Sequence, residues 1–189
     1  MEYKINAPAS AEALRSLKAG DSVLLSGTVY TARDAAHKRI VELINDGKAP
    51  PFDLNNAAVY YVGPTPEHDG MCIGSAGPTT SGRMDAYAPL LLDNGLKIMI
   101  GKGDRNQNVI DAMVRNGAVY LAAIGGAGAL MAASVCSSEL VCWEDLGCEA
   151  VRRLTVRDMP LTVAIDSAGN DIYKLGRAEY LEETENGLR

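Results

Sequence analysis

Short apolar runs alternate with amphipathic segments along most of this chain, and that alternation limits the possible folds more than any other feature. "DSVLLSGTVY", Asp21 to Tyr30, carries Val23, Leu24, Leu25, Val29 and Tyr30 and reads as a strand. Ala35, Ala36, Arg39, Ile40, Leu43 and Ile44 then follow the three-four spacing of a helix, which Gly47 ends. Thr31 stands where a side-chain oxygen can cap that helix. "AAVYYVGPTP" predicts a short strand stopped by Gly63 and Pro64, "EHDG" a hairpin turn, and "MCIGSAG" the returning strand. "RMDAYAPLLLDNG" predicts a helix with Met84, Tyr87, Ala88 and Leu91 facing inward. "LKIMIGKG" reads as a buried strand, "DRNQNVIDAMVRNG" as a helix ended by Asn-Gly, and "AVYLAAIGG" as a further strand. "AGALMAASV" reads as a short helix, "ELVCWEDL" as a strand, "LTVAIDSAGNDIY" as a strand and turn, and "EYLEETENGLR" as a charged terminal helix or tail. This order predicts an α/β fold with a largely parallel sheet. No repeat or linker divides it, so residues 1–189 are expected to form one domain, with a charged tail from about residue 174.

The chain is long enough to bury a core, with 189 residues of which 47% are hydrophobic. Its net charge of −6 and the lack of any Lys/Arg block argue against nucleic acid as a partner. An anion would have to be held by a few local cations against an unfavourable overall field. "MEYKINAPAS" lacks the pattern of a signal peptide, and the most apolar stretch, Gly117 to Val135, is broken by glycines and does not read as a membrane span. The expected location is the cytoplasm. Cys72, Cys136, Cys142 and Cys148 form no CxxC and no metal-ligand spacing, so they are expected to be free thiols packed as small buried hydrophobes, with no metal held by this chain.

Three stretches carry side chains suited to chemistry, and each lies between a strand-like run and a helix: "GTVYTARDAAHKR", "GSAGPTTSGRMD" and "IGKGDRNQN". In α/β folds, strand C-terminal ends and helix N-termini make the ligand crevice. The first stretch offers Arg33, with Asp34 and His37 in support; the second Thr79, Thr80, Ser81 and Arg83; the third Lys102 between Gly101 and Gly103. Two arginines, a lysine, hydroxyls and glycine N–H groups suit carboxylates or phosphates. Each residue also has a plain structural reading. Arg33 can pair with Asp34, Arg83 can pair with Asp85, Thr79 and Thr80 can cap a helix, and His37 can be a packing partner. The glycines of "IGGAGA" lack the spacing of a phosphate loop, and no Ser-His-Asp set or HExxH is present. A carboxylate-gripping set without its own reaction centre implies that the centre lies elsewhere.

"GTVYTARDAAHKR", "YVGPTP", "GPTTSGRMD" and "GKGD" resemble, in that order, motifs of the C-terminal domain of class I iron–sulfur fumarases. The same domain occurs as a separate β subunit in two-subunit fumarate hydratases and in L(+)-tartrate dehydratase. The resemblance covers the chain from about Asp21 onward. It implies a swivelling β/β/α domain whose mixed sheet is flanked by helices. It implies a hydro-lyase that adds water reversibly to fumarate to give malate. It also implies a [4Fe–4S] cluster held by a partner α subunit, and a dimer of αβ pairs sharing their sites. Residue by residue, it implies that Arg33, Thr80, Arg83 and Lys102 hold the C4 dicarboxylate and that Thr79 is the catalytic base. L(+)-tartrate dehydration, hydration of another dicarboxylate, and a non-catalytic anion-binding module are the other readings.

Overall fold

The computed structural model describes residues 1–67, 70–124 and 126–176. The opening residues, read in the sequence only for what they lack, form strand β1 (Glu2–Ala7). Helix α1 (Ala11–Ser16) follows, capped by the Ser10 hydroxyl, which accepts from the Ala13 N–H. Then come β2 (Ser22–Thr31), α2 (Asp34–Asn45), β3 (Ala58–Tyr60), a 3-10 turn over Ser81–Met84, and α3 (Ala88–Asp93). β4 (Ile98–Gly101), α4 (Gln107–Asn116), β5 (Val119–Ala122) and α5 (Gly128–Ala133) continue the alternation. Two antiparallel strands, β6 (Val135–Cys142) and β7 (Val151–Ile165), complete it.

All seven strands belong to one mixed sheet in the order β1-β2-β3-β4-β5-β7-β6. The pairs from β1 through β5 are parallel, as βαβ connections require. The largely parallel sheet read from the sequence is corrected by β7, which runs antiparallel to β5, β6 and β2. Because β7 pairs with both β2 and β5, the strands β2, β3, β4, β5 and β7 close into a ring. Side chains alternate across that ring. Ala58, Tyr60, Ile98, Ile100, Val119 and Leu121 point to an inner core shared with Val156, Leu161 and Val163 of β7. Val59, Met99 and Tyr120 point the other way, into a second core beneath α2, α3 and α4. The result is the single-domain α/β architecture with a helix-flanked mixed sheet that the resemblance implies.

Several local readings change. Thr31 caps nothing. It ends β2, where its hydroxyl donates to the Ala150 carbonyl at 3.1 Å and accepts from the Arg152 N–H at 2.9 Å, tying β2 to β7. "MCIGSAG" does not run as a strand. Its end folds back on Thr65: the Gly74 N–H bonds the Thr65 carbonyl, and the Ser75 N–H bonds the Thr65 hydroxyl. His68 and Asp69 of the expected hairpin turn lie outside the described residues. "RMDAYAPLLLDNG" is divided between the 3-10 turn and α3, because Pro89, which has no N–H to donate, fits the first turn of a helix but not the interior of one continuous helix. The strand read at "ELVCWEDL" starts earlier, at Val135, and ends at Cys142 because Trp143 turns at φ 59°. The cysteines are free, but Cys136 and Cys148 are exposed and Cys72 and Cys142 only half-buried, so they are not core residues. Cys136 and Cys142 lie on an outer strand with a solvent face. Residues 172–176 are helical, and the rest of the charged tail, residues 177–189, lies outside the described residues.

Candidate functional site

The three stretches singled out in the sequence meet at the C-terminal ends of β2, β3 and β4. The chain leaving β3 loops out and returns at Thr79, whose N–H bonds the Tyr61 carbonyl at 2.8 Å. Thr80 then lies beside Lys102 as a one-residue parallel bridge, and the Ser81 N–H bonds the Lys102 carbonyl at 2.9 Å. The returning segment is thus stitched to the end of β4 like an extra strand. Gly101 permits this, since a Cβ there would collide with the Ser81 hydroxyl and come within 2.9 Å of Tyr61. Thr79 and Lys102 are half-buried and Thr80 is exposed.

Arg33 and Arg83 converge on Asp34. The Arg83 Nε sits 2.8 Å from Asp34 Oδ1, and an Arg33 Nη sits 3.9 Å from Oδ2. Arg83 does not pair with Asp85, as the sequence allowed, because Asp85 is engaged elsewhere: it accepts from Arg105 Nε at 2.6 Å and from the Asn106 N–H at 2.7 Å. Asp34 holds Arg83 through Nε, so the terminal guanidinium nitrogens remain for a ligand, and the side chain is 53% exposed. Arg33 has a second partner that the sequence did not reveal. Glu149 approaches its Nη at 3.3 Å and also accepts the Ala35 N–H at the start of α2. The glycine of "YVGPTP" has a matching role: a Cβ on Gly63 would come within 3.1 Å of the Arg33 guanidinium and 2.9 Å of the Cys148 carbonyl. The only sequence signal for Glu149 is its place just before β7, a strand that starts earlier than its apolar run shows.

His37 is fully buried on α2, packed edge-on against the Tyr61 ring at 5.2 Å. Its Nδ1 lies 2.9 Å from the Arg33 carbonyl, an acceptor only, so Nδ1 carries the proton. Burial pulls its pKa down to about 4, with the nearby Arg105 charge adding to the fall, and His37 is neutral at pH 7. It supports the backbone at Arg33 and sits beneath the cations. Among the described residues, no three His, Cys, Asp or Glu side chains converge as a metal-ligand set. The described residues therefore do not fit an iron–sulfur cluster.

A cleft of about 410 Å³ opens beside this cluster, lined by Pro64, Thr65, Cys72, Cys148 and Arg152 among others, but by none of Thr79, Arg83 or Lys102. Arg83 stands exposed outside its lining, while Arg33 is mostly covered and Lys102 half-buried. Together the three stretches bring two guanidiniums, one ammonium and two threonine hydroxyls to adjoining strand ends, on a chain whose net charge is negative.

Fold and site together define an α/β domain that carries two arginines, a lysine and two threonines at adjoining strand ends. A family model described as "Fumarase C-terminus" matches residues 1–176, and the chain belongs to that family. It is 41% identical over 152 residues to "Fumarate hydratase class I, anaerobic" of Escherichia coli, covering 79% of this chain and 28% of that protein. It is 39% identical over 156 residues to "Fumarate hydratase 2" of Leishmania major, covering 82% and 28%. Against "Putative L(+)-tartrate dehydratase subunit beta" of Methanocaldococcus jannaschii it is 40% identical over 180 residues, covering 92% of each. The chain thus matches about 28% of the length of the fumarate hydratases and nearly all of the tartrate dehydratase subunit. Among the described residues, no helix is long and apolar enough to cross a membrane.

Proposed function

We propose that this chain is the β subunit of a hydro-lyase that hydrates fumarate reversibly to malate, and that it supplies the dicarboxylate grip to a site shared with a cluster-bearing α subunit. The observation that carries the reading is the meeting of Arg83, Lys102 and Arg33 at adjoining strand ends, on exactly those motifs by which the chain resembles the family's substrate-holding segments. Arg83 and Lys102 hold the substrate's carboxylates. Arg33 adds positive charge near the carboxylate beside the carbon where a proton is gained or lost. Thr80 contributes a hydroxyl contact. Thr79 exchanges the proton at that carbon, and its hydroxyl acts as a base only with neighbouring cations to lower the cost of its anion or a partner carboxylate to take up its proton. The exposed Arg83 side chain supports a site completed by another surface. The [4Fe–4S] cluster belongs to the α subunit in this reading, where its open iron would act as a Lewis acid on the substrate's hydroxyl. The assembly is a dimer of αβ pairs. Four free thiols fit a reducing compartment, so the cytoplasm is its proposed location.

The test is anaerobic hydration of fumarate by this chain co-expressed with a cluster-loaded α subunit, with L(+)-tartrate assayed in parallel because of the tartrate dehydratase relative. Arg83→Ala and Lys102→Ala should each lower kcat/KM about a hundredfold, the scale of a lost charged contact to substrate, while the complex still forms. Unaltered kcat/KM in both variants would overturn the assignment of the grip. Turnover of tartrate alone would move the substrate without moving the site.

A further inference from the structure

The Thr79–Arg83 segment and the Lys102 segment are joined from beneath by a buried polar relay that the grip itself does not use. The Ser81 hydroxyl is fully buried and lies 2.9 Å from the Tyr120 hydroxyl. The Tyr120 hydroxyl donates to the Gly103 carbonyl at 2.9 Å, so Ser81 is the donor to Tyr120. Ser81 is therefore held twice, by its N–H to the Lys102 carbonyl and by its hydroxyl through Tyr120 to Gly103. At the other end of the same turn, the Asp85 carboxylate grips Arg105 Nε and the Asn106 N–H. The Arg105 side chain is fully buried, with its guanidinium over the rings of Tyr61 at 5.3 Å and Tyr120 at 5.1 Å. The turn bearing Arg83 is thus fastened at both ends to the turn following Lys102.

Ser81 and Tyr120 belong to different elements, and the Ser81 hydroxyl can sit where it does only because Gly101 has no side chain, since a Cβ there would collide with it. A buried ion pair is weak evidence for stability alone, since taking two charges out of water offsets much of their attraction. The sheet already fixes β4 and β5 through their own ladder, whereas the 81–85 turn has this fastening and the buried Met84 side chain beneath it. We propose that Tyr120, Asp85 and Arg105 are positioning residues that fix the spacing between the Thr79–Arg83 turn and Lys102, and so preset the distance between the two halves of the carboxylate grip. This inference rests on the proposed function for its ligand, though the fastening itself is a property of this chain.

Tyr120→Phe removes one hydroxyl and keeps the ring, and Ser81→Ala breaks the same relay from its other side. In the complex with the α subunit, Tyr120→Phe should raise the KM for fumarate about tenfold, as expected for losing a buried hydrogen bond, with a smaller fall in kcat and a thermal midpoint within about 3 °C of the parent. The double variant should be no worse than the worse single one, because both cut one relay. In the full chain, hydrogen exchange at the Ser81 amide should quicken in Tyr120→Phe while the β4 and β5 amides hold. A purely structural role would lower kcat with lost stability and leave KM alone; that result, or additive effects of the two substitutions, would overturn the proposal. Should Tyr120→Phe fail to fold, Ser81→Ala gives the same KM and exchange readouts. If the parent complex does not hydrate fumarate, the function reading fails, and the Ser81 exchange comparison still decides whether the fastening exists.

Discussion

One carboxylate serves two arginines. Asp34 takes Arg83 by Nε and stands near Arg33, which leans on Glu149 as well. The arginines are aimed before any ligand arrives, and the backbone that aims them rests on a buried neutral histidine. Burial holds the pKa of His37 near 4, against the bond to the Arg33 carbonyl; Arg105 lowers it further and Asp34 opposes. Because the folded-state value lies below the ordinary 6.5, the unfolded chain binds this proton first as pH falls. The stabilisation is complete above pH 6.5 and is lost as pH falls toward 4, by on the order of 3 kcal/mol in all. Urea midpoints at pH 7 and pH 5 test this: the gap between the parent and His37→Gln should narrow at the lower pH, and a constant gap would refute it. The basic and hydroxyl residues of the site were legible in the sequence because they sit in loops between periodic segments, where an α/β fold gathers its ligand groups. Their acidic partners were legible in part: Asp34 was, and Glu149 was not. Asp85 lies two residues from Arg83 yet turns to Arg105, and Glu149 reaches Arg33 from the far side of the fold.

Helices were legible where chain chemistry marks both ends. α4 begins at Asn106, whose side-chain oxygen accepts the Val109 N–H at 3.0 Å, and ends at Gly117 in the left-handed conformation. Val109, Ile110, Ala112 and Met113 face the core, while Val114 is exposed. Asn106 also hands its own N–H to Asp85, so one residue caps the helix and anchors the fastening. Asn106→Ala keeps that backbone bond and removes only the cap. It should lower the urea midpoint by the equivalent of about 1 kcal/mol with an unaltered slope. A changed slope would mean the helix start had rearranged. Strands were less legible. β3 keeps only three residues, and "MCIGSAG" has a strand's composition but spends its hydrogen bonds on Thr65. Composition cannot show where a loop's N–H groups will find partners.

At the scale of the whole molecule, the two cores share the strands that separate them, so neither can be lost alone. Unfolding should therefore be one transition. Trp143, the single tryptophan, sits at the end of β6 against Arg39 of α2. Its fluorescence and the far-ultraviolet dichroism should give superimposable urea curves, and separated midpoints would show two independent units. The parallel half of the sheet was legible because each βαβ step is local. The ring was not, because it depends on β7 finding β2: Thr31 and Ala150, bonded side chain to backbone, are 119 residues apart. That late closure bears on how the protein is made. While the ribosome is still adding residues 151–165, β2 and β5 each present an unpaired edge, open to the same edges on neighbouring nascent chains. The hazardous interval in this protein's life thus falls during its own synthesis, and it ends only when β7 emerges and shuts the ring.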